Sequence, residues 1–267
     1  MKKYINFAGV LALLVFTSFS FTGCKQEGCI DPLAVNYDEE ADKDDGSCIY
    51  ETQLKLHLHN NFGSSEFLYG SDYELADGRK LNLSIARFYF SNIRLMNGSA
   101  ETPLADVYKQ WNASEEHYML GDAPAGTYTG IKFDIGVDST ANYGDPSAWP
   151  DDHALSSSSS THDHWSWNSG YIFMKIEGKA DTSAAMNGTI NGDFVYHVGT
   201  PNFARTVEIP VNFSISEGST GEVHLEVDLM KFFDNVDLTA DFDTHTMNNM
   251  PLAGAVADGI AGSIGAE

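Results

Sequence analysis

The chain has 267 residues, is 42% apolar and 12% aromatic, and carries 15 basic against 38 acidic side chains, a formal charge of −23. That length allows one sizeable domain with small appendages, and the apolar content suffices for a packed core. So strong a negative balance excludes a nucleic-acid backbone and an anionic membrane surface as electrostatic partners.

The N-terminus opens Met1-Lys2-Lys3 and runs through the apolar residues 5–21, a basic start followed by a hydrophobic stretch of secretory length. It ends Phe21-Thr22-Gly23-Cys24, which resembles a bacterial lipobox, although Phe21 stands where leucine is usual. On that resemblance residues 1–23 are a lipoprotein signal peptide and Cys24 is lipidated. The expected location is then the bacterial outer membrane or cell surface, facing the periplasm or the exterior, with the lipid as the membrane contact. Cys29 and Cys48 are left over, and in an oxidising compartment they are expected to form a disulfide. Closing that loop would stabilise the segment by about 3 kcal/mol on the chain-entropy model. No cysteine follows residue 48, which excludes thiolate metal sites in the rest of the chain.

Residues 24–50 form a polar stretch too short to bury a core. Asp38, Asp42, Asp44 and Asp45 supply the hard oxygens that calcium prefers, with Gly46 permitting a tight turn. The stretch reads either as a calcium-binding module or as a disulfide-stapled spacer. It resembles a Gly-Cys-x-Asp-Pro…Asp-Asp-Gly-Ser-Cys module of secreted and surface proteins of Bacteroidetes-type bacteria.

Residues 51–267 change to short alternating strands separated by turn residues, the pattern of a sandwich or barrel. In Leu54-Lys55-Leu56-His57-Leu58-His59 the leucines share one face and His57 and His59 the other, about 7 Å apart. Residues 81–85, 87–95 and 126–138 continue the strand pattern. A Pro-, Asp- and Ser-rich loop then covers residues 142–160, a length that marks a functional loop or local disorder in a compact β domain. His162-Asp163-His164-Trp165-Ser166-Trp167 follows, concentrating two of the four tryptophans and two of the nine histidines at the mouth of the strand that starts at Gly170-Tyr171. Residues 192–199, 207–215 and 222–229 are further strands. The Ala/Gly-rich tail after His245 has Leu252, Val256 and Ile260 at helical spacing, which predicts one short terminal helix.

His59 and His197 both end strands beside glycines, where sandwich loops gather, and neutral imidazole suits copper as well as zinc. Each is either a ligand or a surface residue. His57 reads as an exposed polar residue or a shared ligand. His153, His162 and His164 are accessory ligands or solvated loop residues, and Trp165 and Trp167 are core rings or part of a site. No Gly-x-Ser-x-Gly elbow, His-Glu-x-x-His helix or phosphate-cradling glycine loop is present, so the expectation is a binding protein and not an enzyme.

Five stretches together resemble the MbnP-like family of exported copper-binding proteins. They are the first strand ending at His59 and Gly63; Arg87-Phe88-Tyr89-Phe90-Ser91-Asn92-Ile93; residues 126–138; Trp165-Ser166-Trp167-Asn168-Ser169-Gly170-Tyr171 with Glu177-Gly178; and Tyr196-His197-Val198-Gly199. The resemblance spans about residues 52–260. It implies an all-β, immunoglobulin-like antiparallel sandwich holding one copper ion between histidines and a tryptophan oxidised to kynurenine. A dihaem peroxidase-like cytochrome is the implied oxidising partner. Carried over, His59 and His197 are imidazole ligands, Trp167 or Trp165 is the modified ring, and His57 and His164 are additional candidates. The contrasting expectation is a structural or adhesive surface lipoprotein with calcium on the Asp-rich module and no copper site.

Overall fold

A computed structural model describes residues 25–161, 163–166 and 170–267. Cys24, His162 and Trp167 lie outside the described residues. The chain divides into two compact units, Met1–Ile49 and Tyr50–Glu267.

In the first unit a short parallel pairing joins Glu27–Gly28 to Lys43–Asp44, and Cys29 and Cys48 form the expected disulfide. The second unit is an all-β sandwich closed by one short helix. Its main strands are β1 (Gln53–Phe62), β2 (Lys80–Asn97), β3 (His117–Asp122), β4 (Gly126–Ile135), β5 (Gly170–Ala180), β6 (Gly192–Gly199), β7 (Arg205–Ile215), β8 (Thr220–Asp228) and β9 (Ile264–Ala266). One sheet runs β7-β4-β2-β5-β6 with antiparallel neighbours, and further short strands pair along β2, β5 and β6. The other runs β9-β8-β1-β3.

The pairing of β8 with β1 is parallel, where the sequence predicts an antiparallel sandwich. Parallel neighbours need a long crossover, and the chain between β1 and β8 supplies one by building the other sheet first. The alternation read from the sequence is otherwise what packs the layers. Leu54, Leu56, Leu58 and Phe62 of β1 and Val223, Leu225 and Val227 of β8 point inward and are essentially inaccessible. Phe88, Phe90, Phe133, Ile176, Phe194, Tyr196 and Val198 meet them from the larger sheet in one continuous core. At about 1.5–3 kcal/mol for each large apolar side chain removed from water, this layer dominates the stability of the unit.

The terminal helix, Met250–Gly262, starts where the Asn249 side chain accepts the Leu252 N–H, with Pro251 in the first turn. It buries Leu252, Ala253, Val256, Ala257 and Ile260, the stripe that the spacing predicted. No helix among the described residues is long and apolar enough to cross a membrane.

The loop after β4 does not hang in solvent. It folds over the outer face of the larger sheet through a helical turn, Ser139–Asn142, capped by Asp138, and a 3-10 turn, Pro146–Ala148, capped by Asp145. Tyr171 donates to the Leu155 carbonyl at 2.5 Å and packs edge-on against Tyr89, so this sheet is buried on both faces where the loop covers it.

Candidate metal-binding site

The aromatic stretch singled out by the sequence forms a short strand, His164–Ser166, that folds back on the start of β5, pairing His164 with Tyr171 and Ser166 with Gly170. Gly170 is required there: its φ is +71°, and a β-carbon would fall 2.2 Å from the Asn142 side-chain oxygen. That same oxygen accepts the Tyr171 N–H at 2.9 Å, which locks the covering loop to the strand mouth. Burial pushes the Tyr171 phenol up to about 12, so it serves as a neutral donor and not as a base.

Asp163, one residue before this strand, is 1% exposed. Its carboxylate takes Arg87 at 3.0 Å, Lys175 at 3.2 Å and Gln110 at 3.0 Å. Two cations and an amide on one buried carboxylate satisfy the charge that burial alone would make prohibitive. Arg87, Lys175 and His197 are register partners across β2, β5 and β6, so this row fixes the strand mouth beside His197.

The Trp165 ring rests on β6, with its Cζ3 2.7 Å from where a β-carbon on Gly199 would lie. His197 stands two residues earlier, its ring centroid 4.8 Å from that of His245. The segment bearing His245 is held to β6 by Thr246, which accepts the Gly199 N–H at 2.9 Å and donates to the His197 carbonyl at 3.0 Å. Burial pushes the His197 imidazole below the ordinary histidine value and Lys175 adds to the shift, while Glu177 opposes it. Glu177 Oε1 lies 2.8 Å from His197 Nε2. With Nε2–H donated to that carboxylate, the Nδ1 lone pair is left for a metal, the arrangement that orients ligating histidines in general.

His57 and His59 behave as the alternation predicted: both project from the outer face of the smaller sheet, with ring centroids 6.3 Å apart. Two histidines that the sequence did not single out join them. His117 of β3 and His224 of β8 are the register partners of His57, which makes a row of three imidazoles across adjacent strands. Glu116 lies 3.3 Å from His59 Nδ1 and 3.6 Å from His57 Nε2.

The structure does not bring His59 and His197 together. Each is partly exposed on the side of its strand that faces away from the core, and the two strands belong to opposite sheets. Packed sheets stand about 10 Å apart at the backbone, and these side chains point outward from both. Strand alternation reveals the face of a residue but not which layer the strand will join. Trp165 and His164 are on the His197 side, through β5 and Gly199, and His57 is on the His59 side.

Three of the four aspartates expected for calcium, Asp38, Asp44 and Asp45 but not Asp42, take hydrogen bonds within their own unit. Asp38 accepts from Gln26 and the Glu40 N–H, Asp44 from the Gly46 N–H, and Asp45 from the Ser47 N–H. Asp and Asn side chains cap turns this way without any ion. Among the described residues, the clusters of three or more His, Cys, Asp or Glu side chains close enough to share one ion are His57-His224-Glu267 and His57-His59-Glu116, and neither includes these aspartates.

The chain is similar to MbnP from Methylosinus trichosporium at 18% identity, with a TM-score of 0.53, covering 78% of this chain and 88% of that one. No curated protein matches the chain. The family model described as MbnP matches residues 51–250, nearly all of the sandwich. By that match the chain belongs to the MbnP family.

Proposed function

We propose that this protein is an exported copper-binding protein, lipid-anchored through Cys24, that holds its metal at the strand mouth formed by His164–Ser166, Gly199 and the His197–His245 pair. The observation that carries this reading is the seating of Trp165 on Gly199, two residues along β6 from His197, whose ring meets that of His245, in a chain of the MbnP family. His197, held neutral by burial and oriented by Glu177, is the first ligand, and His245 the second. Copper suits imidazole donors, and its chemistry here is binding for acquisition or storage and not turnover.

His59, on the other sheet, has no part in this site. One tryptophan of the Trp165 and Trp167 pair becomes kynurenine, oxidised by a dihaem peroxidase-like cytochrome, and its aryl amine adds a donor that indole lacks. The buried Asp163 network anchors the residue before the strand that carries Trp165, and the covering loop keeps bulk water from Tyr171 and Leu155.

The reading is tested on protein purified from its native host under copper-replete conditions. Metal analysis is expected to find copper, and the tryptic peptide containing Trp165 and Trp167 is expected to gain the mass of an oxygen less a carbon. Protein that stays metal-free and unmodified would favour a structural or adhesive surface lipoprotein.

A further inference from the structure

The outer face of the smaller sheet carries a metal-ligating cluster that the strand mouth does not use. His57 Nδ1 and His224 Nδ1 face each other at 2.9 Å. Glu267 Oε2 completes the triangle, 3.6 Å from the first and 3.3 Å from the second. A tetrahedral zinc ion with bonds of 2.0–2.1 Å spaces its ligand atoms about 3.3 Å apart, which is the mean size of this triangle. The three donors come from β1, β8 and the residue after β9, neighbours in one sheet, so the backbone ladder sets their spacing.

We propose that His57, His224 and Glu267 form a second metal site, for a divalent transition-metal ion of borderline softness such as Zn²⁺, independent of the strand mouth. Without the ion, one Nδ1–H is donated to the facing Nδ1; the ion takes that proton's place and draws in the carboxylate. Glu116 beside His57 Nε2 favours the tautomer with hydrogen there, which leaves Nδ1 as the donor. His117 stacks on the His57 ring at 4.7 Å and fixes its plane. Two imidazoles and one carboxylate exclude Mg²⁺, which prefers an oxygen shell, and leave a fourth position open to water. His224 is 52% exposed, so the ion has a direct path from solvent. Glu222, 3.8 Å from His224 Nε2, adds to a local field that attracts cations.

The test is zinc titration by calorimetry into the otherwise full chain carrying His197→Ala and His245→Ala, so that the strand mouth cannot contribute. The expected result is one saturable zinc site, weakened about tenfold or more by adding His224→Ala or Glu267→Gln and unaffected by excess Mg²⁺. These two side chains are exposed, so the melting temperature of the zinc-free variants is expected to stay unchanged. In the unmutated chain, zinc should shift the His57 and His224 ring resonances in NMR spectra. No saturable binding, or equal affinity with and without His224, overturns the proposal. Copper content at the strand mouth is not read in this experiment, so its failure leaves that reading standing.

Discussion

Trp165 and Gly199 touch across the gap between the strand mouth and β6, and residue 199 has no room for a side chain: a β-carbon there would also lie 2.5 Å from the Tyr171 carbonyl. Gly199→Ala therefore has to displace either the ring or the β5–β6 ladder. We expect a loss of about 1–3 kcal/mol in stability, the range for overpacking a filled site. Tryptophan fluorescence should shift as Trp165 moves, and denaturant melts measure the cost. An unchanged spectrum and midpoint would show that the ring is not seated on β6.

Asp163 is the anchor of the strand mouth, and its removal should be costly. Asp163→Asn keeps the shape but removes the counter-charge of Arg87 and leaves Lys175 only Glu177, 3.7 Å away, in a partly buried row. The expected destabilisation is on the order of 3 kcal/mol, the cost of breaking a buried pair from one side. Urea unfolding of the single variant checks it. A loss within a few tenths of a kcal/mol would mean that solvent already screens this network.

A pH dependence follows from His153, whose Nδ1 accepts the Leu155 N–H at 3.1 Å and whose ring stacks on Trp149. Burial pushes its imidazole below the ordinary histidine value, the nearby Lys109 adds to the shift, and Asp152 opposes it. The unfolded chain thus takes up a proton at higher pH than the folded one. The stabilising contribution is complete above the unfolded value of about 6.5 and is lost as pH falls through the lower folded value. A proton on Nδ1 also removes the acceptor for Leu155. His153→Gln should flatten the decline in melting temperature across that window; an unaltered slope would assign the decline to other groups.

Trp111 is fully buried and stacks on Phe88, and its indole N–H is donated to Asn60 Oδ1 at 3.0 Å. Asn60 in turn donates to the Ala113 and Glu115 carbonyls, which shape the turn leading to Glu116. Asn60→Ala leaves the indole donor unsatisfied and should cost about 1–3 kcal/mol. Thermal melts and hydrogen exchange at the Trp111 indole read it directly: exchange should quicken by the same free energy if the bond holds the ring in place.

Much of this arrangement was legible in the chain and some of it could not be. The period of two in residues 53–62 placed His57 and His59 on one face because Leu54, Leu56 and Leu58 needed the other. His117 and His224 were invisible as partners because they reach His57 through register, and strand register across distant segments leaves no local mark. The pairing of His59 with His197 failed for a related reason, since each looked equally outward on its own strand. Nothing local in the sequence separates Asp163 from the other acids in a chain with 38 of them, and only the folded loop shows Arg87 and Lys175 on its carboxylate. His245 gave no signal at all, because the latch through Thr246 that brings it to His197 is made by a turn.

Copper content of host-expressed protein, measured together with the mass of the Trp165–Trp167 peptide in the unmutated chain and in His197→Ala, tests the central claim most directly. The account predicts copper and a modified tryptophan in the unmutated chain and loss of the metal in the variant. Copper retained at full stoichiometry in His197→Ala would contradict it.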